Sequence, residues 1–277
     1  MESPMMITAA AVQMAPRLGD LTQNRNAILD WLEQAAAQGA DLVVFPECAL
    51  SGYVFQNRVE GMAAAEPVPG PSSAALVQAC QDLNLCAVVG MLEVEGDALY
   101  NTALVAGQGR ILGRYRKAHL PFLGVDRYAN RGPSLDVVRT RAGVLGPLIC
   151  YDMRFPEAPR VLALLGAEII VHPTNWPNSS VDFPGFVTKA TARSSQVFVI
   201  SADRVGTERG TTFLGRSQII APSGQPLAEA DDHSEMIITA GLELGLAHRK
   251  KLVMVPGEFE MDLFGDRRPE LYGRLMQ

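Results

Sequence analysis

The sequence predicts a layered α/β fold, on three observations. Short apolar runs of strand length recur along the chain, and each is bounded by Gly, Pro, Asn or Asp. Segments with helical spacing of apolar residues lie between several of these runs. Residues 88–144 and 213–240 contain successive strand-like runs joined by short turns such as EGD, GQG and PSGQ. Alternating strands and helices favour a layered sheet, and the successive strands predict antiparallel pairs within it.

Nine strands are predicted, and in chain order they cover 7–14, 42–45, 86–92, 102–106, 144–150, 169–172, 197–201, 217–221 and 236–240. The clearest helix covers 24–38, where Ile28, Leu32 and Ala35 share one face and Gly39 ends the helical spacing. Further helices are predicted at 72–83, 157–165 and 186–195.

The chain is expected to form one domain over residues 1–277, because no linker, low-complexity segment or fixed-period repeat divides the predicted elements. Residues 253–277 are rich in charge and proline. We expect this segment to be a C-terminal arm that docks on a partner subunit.

Composition places the chain among soluble globular proteins, because 48% of its 277 residues are hydrophobic and 19% are charged. The formal net charge of −6 argues against nucleic acid or an anionic membrane as a partner. The opening MESPMMITAAAVQM lacks the basic and long apolar regions of a secretion signal. Glu168 interrupts the most apolar window, VLALLGAEIIV, before it reaches the length of a membrane span. A cytoplasmic location is therefore expected, with free thiols at Cys48, Cys80, Cys86 and Cys150.

Cys150 lies where an apolar strand-like run, LGPLIC, is followed by a helical pattern, PEAPRVLALL. A cysteine at the carboxyl end of a strand lies near the unpaired N–H groups of the next helix, which favour a thiolate and a developing oxyanion. Taken alone, such a cysteine is more often a buried apolar residue than a nucleophile. The catalytic hypothesis therefore depends on groups that could act with it.

Two other strings supply a carboxylate and an ammonium. Glu47 ends the strand-like run of VVFPECALSGY, and Lys117 lies in GRYRKAHLP. Each has an ordinary alternative, because Glu47 could be a surface carboxylate and Lys117 could belong to an exposed basic face with Arg114 and Arg116. Only the ordered set FPECALSGY, YRKAHLP and ICYDMRFPE favours a catalytic Glu, Lys and Cys constellation.

These three strings resemble the motifs of the carbon–nitrogen hydrolase family, also called the nitrilase superfamily. The opening AAVQM, the stretch GAEIIVHPTNWP and the stretch SADRVGTERGTTFLGRSQIIAPSG are similar to the first, post-nucleophile and late strands of that family. The resemblance thus covers nearly the whole chain. It implies a four-layer α-β-β-α sandwich with mixed sheets, a triad of Glu47, Lys117 and Cys150, and a homodimer or higher homo-oligomer.

Elementary chemistry gives each member of the triad a role. A free thiol has a pKa of about 8.5, so a base must take its proton during attack at neutral pH. Glu47 is expected to be that base, and the Lys117 ammonium lowers the pKa values of both neighbours. Lys117 and the backbone N–H of Tyr151 are expected to stabilise the oxyanion. The four histidines, at 119, 172, 233 and 248, form no zinc-binding spacing, so neither a metal nor a cofactor is expected.

The expected reaction is attack of Cys150 on an amide carbon, release of ammonia or a small amine, and hydrolysis of the thioester by water that Glu47 activates. The string YDMRFPE is more similar to amidase and carbamoylase members than to nitrile hydrolysers. A small aliphatic amide or N-carbamoyl compound is therefore the predicted substrate, and a small nitrile is the alternative. A thiol acyltransferase and a non-catalytic scaffold are weaker alternatives.

Tyr53, Asp126, Asn175 and Trp176 are candidate substrate-binding residues. The two aromatic residues and Asn175 lie beside motif residues at strand ends, although an aromatic residue there packs in the core as often as in a pocket. Many amidases of the family are described as having a second glutamate after the lysine. The corresponding string PFLGVDRYANRG contains no Glu, so Asp126 either replaces that glutamate or pairs with Arg127.

Overall fold

The computed structural model describes residues 5–276. Its strands, in chain order, are β1 (Met6–Gln13), β2 (Leu42–Val44), β3 (Cys86–Glu95), β4 (Ala98–Gly107), β5 (Arg110–Arg116), β6 (Val138–Thr140), β7 (Gly143–Pro147), β8 (Ile169–Pro173), β9 (Phe198–Ala202), β10 (Thr207–Glu208), β11 (Thr211–Thr212), β12 (Gln218–Ile220), β13 (Pro226–Glu229), β14 (Met236–Glu243), β15 (Lys251–Val255) and β16 (Phe259–Asp262). Its α-helices are α1 (Leu21–Ala37), α2 (Arg58–Ala63), α3 (Pro71–Asp82), α4 (Glu157–Leu164), α5 (Thr188–Ser195) and α6 (Gly245–His248). None of these helices combines the length and the apolar character needed to cross a bilayer.

Two six-stranded sheets form the centre of the fold. The first has the order β14-β1-β2-β3-β4-β5, and the second has the order β13-β12-β9-β8-β7-β6. The strands β1, β2 and β3 are parallel neighbours, and so are β7, β8 and β9. The flanking strands pair with them antiparallel. The predicted mixed sheets are therefore confirmed.

Alternation of small apolar residues along β1 lets one strand contact two layers. Ala9 and Ala11 belong to the apolar core between the two sheets, whereas Ala10 and Val12 pack with α1 and α3 on the outer face. On the other side of the molecule, α4 and α5 pack against the second sheet. Helices thus cover both outer faces, which confirms the predicted four-layer α-β-β-α sandwich.

Local sequence explains the bounds of the first helix. The Asp20 side chain accepts a hydrogen bond of 3.0 Å from the backbone N–H of Gln23, as an N-cap residue does. Three residues of its buried face, Ile28, Leu32 and Ala35, are those that the periodicity predicts. Gly39 follows the helix with φ of +78°, a conformation that favours glycine.

Each predicted strand and helix has a counterpart, and most of the differences are at the ends. The strand predicted at 144–150 stops at Pro147 in β7, and its last residue belongs instead to a 3₁₀ turn, Cys150–Arg154. The structure also has elements that were not predicted, namely α2, α6, β5, β6, β10, β11, β13 and the hairpin of β15 and β16. That hairpin lies at the start of the predicted C-terminal arm and exposes Val253, Met254 and Phe259. Docking of the arm, the single-domain organisation, the homo-oligomer and the cytoplasmic location stay predictions.

The parallel strands decide where functional side chains can meet. Within its sheet, β2 is parallel to its neighbours, and so are β7, β8 and β9 to one another. The segments that follow these strands therefore begin at the edge of the sheet where the carboxyl ends of the parallel strands lie. Ligands commonly bind at such edges in α/β proteins. The residues that follow these four strands include Glu47, Cys150, Thr174 and Asp203.

Candidate active site

Glu47 and Lys117 are in direct contact in the protein interior. Lys117 Nζ lies 2.7 Å from Glu47 Oε1, and neither side chain has exposed surface. Glu47 follows β2, and Lys117 follows β5, where its backbone N–H donates to the carbonyl of Asn101 on β4. The first sheet therefore supplies both the carboxylate and the ammonium of the predicted triad.

Asp126 and Asn101 complete a buried cluster with these two residues. Asp126 Oδ2 lies 2.5 Å from Lys117 Nζ. The Asn101 amide donates to Glu47 Oε1 at 2.6 Å and to Asp126 Oδ1 at 2.9 Å. Arg127 donates instead to the carbonyls of Gly124 and Phe55, so the alternative pairing of Asp126 with Arg127 is not formed. The cluster of Glu47, Asn101, Lys117 and Asp126 holds two carboxylates around one ammonium.

One oxygen of Glu47 is available for chemistry. Glu47 Oε2 has no hydrogen-bond partner within residues 5–276. Burial raises the pKa of Glu47 to about 7, and the opposing effect of the Lys117 charge is smaller. A carboxylate whose pKa lies near neutral pH is well suited to take and return a proton.

Lys117 remains a cation in this buried position. Burial opposes its charge, but Asp126 and Glu47 outweigh that effect and hold the pKa of Lys117 well above its usual value. A permanently charged ammonium beside the thiol can stabilise negative charge that develops there.

Cys150 begins the 3₁₀ turn that follows β7, and its backbone has φ of +44°. A cysteine rarely adopts this left-handed conformation, and such strain is concentrated at functional sites. Its carbonyl accepts a hydrogen bond of 3.0 Å from His172 Nε2, and His172 Nδ1 contacts Ser201 Oγ at 3.1 Å. Burial lowers the pKa of His172 to about 4, so the ring is neutral and fixes the backbone of the turn.

The thiol of Cys150 is held in its protonated form. Burial and the nearby Glu47 charge raise its pKa, while the Lys117 charge, the Thr174 hydroxyl and the backbone N–H of Asn175 act in the opposite direction with smaller effect. The surroundings of the thiol are buried although the residue as a whole is partly exposed, whereas the other three cysteines are fully buried. A protonated thiol must transfer its proton before it can attack, and the unpartnered Oε2 of Glu47 is the candidate acceptor.

Asp152 connects the turn that carries Cys150 to the segment that carries Lys117. Its Oδ2 accepts from the Ile149 backbone N–H at 3.0 Å and from the Tyr115 hydroxyl at 2.8 Å. Its Oδ1 accepts from the His119 backbone N–H at 2.9 Å. Because Tyr115 and His119 lie two residues to either side of Lys117, this buried carboxylate aligns the nucleophile of one sheet with the cation of the other.

The residues predicted to bind substrate fall into two groups. Tyr53 joins the buried cluster, since its hydroxyl donates to Asp126 Oδ2 at 2.9 Å and its ring centre lies 6.0 Å from Lys117 Nζ. Both polar atoms of the Asn175 side chain are buried without a partner in the described chain. Trp176 instead packs in the interior, with its ring stacked on Phe183 at 5.2 Å.

Tyr151, the predicted second oxyanion donor, is the second residue of the 3₁₀ turn. The backbone N–H of Asp152 donates to the Ile149 carbonyl at 3.0 Å. A 3₁₀ turn leaves its first N–H groups without partners inside the turn, so the Tyr151 N–H is available to an external acceptor.

Sequence patterns do not single out Asn101, Asp152 or His172 for this site. The one available sign is a polar residue inside an apolar strand-like run, as for Asn101 in ALYNTALV and His172 in EIIVHPT. Such residues must find partners when buried, but the sequence does not show which partners.

Alkylation of Cys150 by iodoacetamide should accelerate as the pH rises through about 7. Glu47 is protonated below its pKa and cannot take the thiol proton, whereas above that pKa it can. The rate can be measured by peptide-resolved mass spectrometry between about pH 5 and about pH 9. Glu47→Gln should remove this step, while Glu66→Gln, which alters a buried glutamate bonded to Ser72, should keep it. An unchanged profile in Glu47→Gln would exclude Glu47 as the base.

Comparison with known proteins adds independent information. A family model described as carbon–nitrogen hydrolase matches residues 8–251. The chain is 34% identical to a nitrilase from Pyrococcus abyssi, over 97% of this chain and 100% of that protein. It is 32% identical to an N-carbamoylputrescine amidase from Arabidopsis thaliana, over 93% of this chain and 91% of that protein. A solved structure of a mutant amidase from Nesterenkonia sp. AN1, with the acetamide moiety of fluoroacetamide added covalently at the active-site cysteine, matches with a TM-score of 0.81, at 25% identity and 97% coverage of both chains.

Proposed function

The chain belongs to the carbon–nitrogen hydrolase family, and from this premise we propose that it hydrolyses a small aliphatic amide or N-carbamoyl compound through a thioester on Cys150. The observation that carries the proposal is the unpartnered Oε2 of Glu47, on a carboxylate with a pKa of about 7, in contact with Lys117 and close enough to Cys150 to raise the pKa of its thiol. The covalent addition of the acetamide moiety of fluoroacetamide at the active-site cysteine of the mutant Nesterenkonia amidase supports a nucleophilic cysteine in such a site.

Acylation begins when Glu47 Oε2 takes the thiol proton as Cys150 Sγ attacks the amide carbonyl carbon. Negative charge moves to the carbonyl oxygen, where the Lys117 ammonium and the Tyr151 N–H stabilise it. The carbon–nitrogen bond then breaks, and protonated Glu47 gives its proton to the leaving nitrogen. For a primary amide the products of this half-reaction are ammonia and a thioester.

Deacylation uses the same groups in the same order. Glu47, again ionised, takes a proton from a water molecule as the water oxygen attacks the thioester carbon. Lys117 and the Tyr151 N–H stabilise the second oxyanion. The carbon–sulfur bond breaks, the Cys150 thiolate recovers a proton from Glu47, and a carboxylic acid is released.

The unpartnered atoms of the site favour an amide over a nitrile. Glu47 Oε2 and Asn175 Oδ1 are buried acceptors without donors in the described chain. The NH₂ group of an amide supplies two donors, whereas a nitrile nitrogen supplies none. A site whose buried polar groups are left unpaired by one of two substrates discriminates against that substrate. The nitrilase from Pyrococcus abyssi keeps nitrile hydrolysis as the second candidate.

Matched amides and nitriles of the same short chains should separate the two candidates. We expect kcat/KM, measured as ammonia release, to be at least about 100-fold higher for each amide than for its nitrile. Asn175→Ala should narrow that ratio, because it removes one of the two acceptors that the amide satisfies. Equal or faster release from the nitriles would assign the chain to nitrile hydrolysis. Absence of release from amides, N-carbamoyl compounds and nitriles alike would overturn both candidates.

A further inference from the structure

A second buried ion pair lies near the site, at the same edge of the sheets. Arg204 Nη1 is 2.8 Å from Glu208 Oε2, and the two side chains are only 3% and 5% exposed. Arg204 follows β9, and Glu208 is the last residue of β10. The cost of removing two charges from water commonly cancels their attraction, so net stability does not explain why such a pair is buried.

Glu208 fixes the backbone of the segment that follows Glu47. Its Oε1 accepts from the backbone N–H groups of Tyr53 at 2.9 Å and Val54 at 2.6 Å. Gly52 has φ of +77°, and a Cβ atom there would lie 3.0 Å from Glu208 Oε2 and 2.7 Å from Leu18 Cα. The backbone approaches the carboxylate so closely that a side chain at Gly52 would not fit.

Arg204 holds Glu208 and joins a third segment. Its guanidinium carbon lies 4.3 Å from the ring centre of Phe213, and its Nη2 donates to the Pro16 carbonyl at 3.1 Å. The ion pair therefore connects the segments that follow β1, β2 and β9.

A short series of contacts leads from this pair to the catalytic cation. Glu208 binds the backbone of Tyr53, whose hydroxyl donates to Asp126 Oδ2, and Asp126 Oδ2 contacts Lys117 Nζ. The Tyr53 ring packs so tightly on Gly124 that a Cβ atom there would lie 2.4 Å from it. A displaced Tyr53 backbone would thus move the hydroxyl away from Asp126.

We propose that Glu208, held by Arg204, is a positioning residue that sets the place of the Lys117 ammonium between Glu47 and Asp126 by fixing Tyr53. The pair acts through Tyr53 and Asp126, and not on the substrate. The inference rests on the proposed function only where amide turnover is the quantity measured.

Glu208→Gln removes the charge that Arg204 requires. We expect kcat/KM to fall about 10- to 100-fold, as small displacements of catalytic groups do. The acid limb of the pH profile of kcat/KM should also move to higher pH. A displaced Lys117 would lower the pKa of Glu47 less than it does in the wild type. Lys117, Asp126 and Asn101 act most strongly on Glu47 from the packed strands and loops, so a shift of this limb reports their arrangement. Cys48, Tyr53, Cys150 and Asp203 also interact with the Glu47 charge, and Glu208→Gln leaves these four residues in place.

Tyr53→Phe supplies the second arm of the test, because it removes the hydroxyl contact with Asp126. If Glu208 acts through Tyr53, the double variant should be no slower than the slower single variant. Glu60→Gln is the matched control, since the Glu60 and Arg209 pair joins α2 to the turn between β10 and β11, next to Glu208, at 2.5 Å on the surface. It should leave both the rate and the acid limb unchanged.

The outcomes separate the positioning role from a purely structural role. A lower melting temperature for Glu208→Gln with an unchanged rate and acid limb would overturn the inference, and so would effects that multiply in the double variant. If Glu208→Gln does not fold, Arg204→Lys keeps the charge but loses the two-point contact with Glu208 and Pro16, and the same criteria apply to it.

Alkylation of Cys150 by iodoacetamide depends on the same geometry but does not require hydrolysis of an amide bond. The wild type could release no ammonia while the pH profile of Cys150 alkylation still shifts in Glu208→Gln. That result would overturn the proposed substrate and support the positioning role. Normal amide turnover with an unshifted alkylation profile in Glu208→Gln would support the proposed function and overturn the positioning role.

Discussion

Replacing Cys150 with alanine should lower ammonia release from the best amide by at least about 10⁴-fold, as loss of a nucleophile does in other hydrolases. The proposed thioester needs the sulfur, and neither Glu47 nor Lys117 replaces it as an acyl carrier. The fold should be retained, because alanine adopts φ of +44° at a cost similar to that of cysteine. Ammonia release and thermal unfolding of the two proteins, measured in parallel, give the result.

The control for this substitution is Cys80→Ala. Cys80 is 1% exposed and packs between α3 and the first sheet, away from the site. Its truncation should lower stability and leave the rate unchanged. Mass spectrometry of wild type quenched during turnover should also find the acyl group on the peptide that contains Cys150. Retention of more than about 1% of the rate by Cys150→Ala would reject the nucleophile assignment.

Lys117→Met should have the second largest effect, and it should reduce both rate and stability. Loss of the ammonium removes an oxyanion donor and leaves the Glu47 and Asp126 carboxyls around a buried site with no cation between them. We expect kcat/KM to fall by about 10³-fold or more. We expect the free energy of unfolding to fall by about 3–5 kcal/mol, as when one member of a buried pair is removed.

The pH dependence of that stability loss has a definite sign. Without Lys117 the pKa of Glu47 rises further above its value in the unfolded chain, so folding favours the protonated form. The stability that this protonation provides is complete below the unfolded pKa and is lost as the pH rises through the folded pKa. Urea denaturation should therefore show a larger deficit at about pH 8 than at about pH 5.

Lys250→Met is the matched control for Lys117→Met. Lys250 is half-buried, its ammonium donates to the carbonyls of Ser195 and Gln196, and burial lowers its pKa to about 8. Its loss should alter stability modestly and leave catalysis intact. Equal rate losses in the two variants would show that Lys117 acts through the fold rather than through the reaction.

The apolar patterns were sufficient to predict the layered fold, because the central strands of both sheets and the long helices bury apolar side chains. The hairpin of β15 and β16 escaped prediction because most of its side chains are exposed, so burial imposes no period on them. The predicted strand at 144–150 ends later in the sequence than β7 does. Apolar side chains continue through Leu148 and Ile149, whereas the backbone leaves the strand to form the turn at Cys150.

The site was predictable where motifs mark it and not where long-range packing forms it. Glu47, Lys117 and Cys150 each lie in a recognisable string. Asn101 contacts Glu47, which is 54 positions away in the sequence, and Glu208 contacts Tyr53, which is 155 positions away. No local sequence pattern encodes such pairs. The role of Asp126 needed the structure, because its two possible partners, Lys117 and Arg127, are both close in sequence.

The excess of carboxylate over ammonium in the buried cluster bears on how the product of the proposed reaction leaves the site. With Glu47 ionised, the cluster of Glu47, Lys117 and Asp126 carries two negative charges and one positive charge in the protein interior. A neutral amide enters without electrostatic penalty, but the product acid becomes an anion once it loses its proton. Repulsion in a medium of low dielectric constant then drives the product out and hinders its return. The same charges that act on the thiol therefore also favour release of an anionic product.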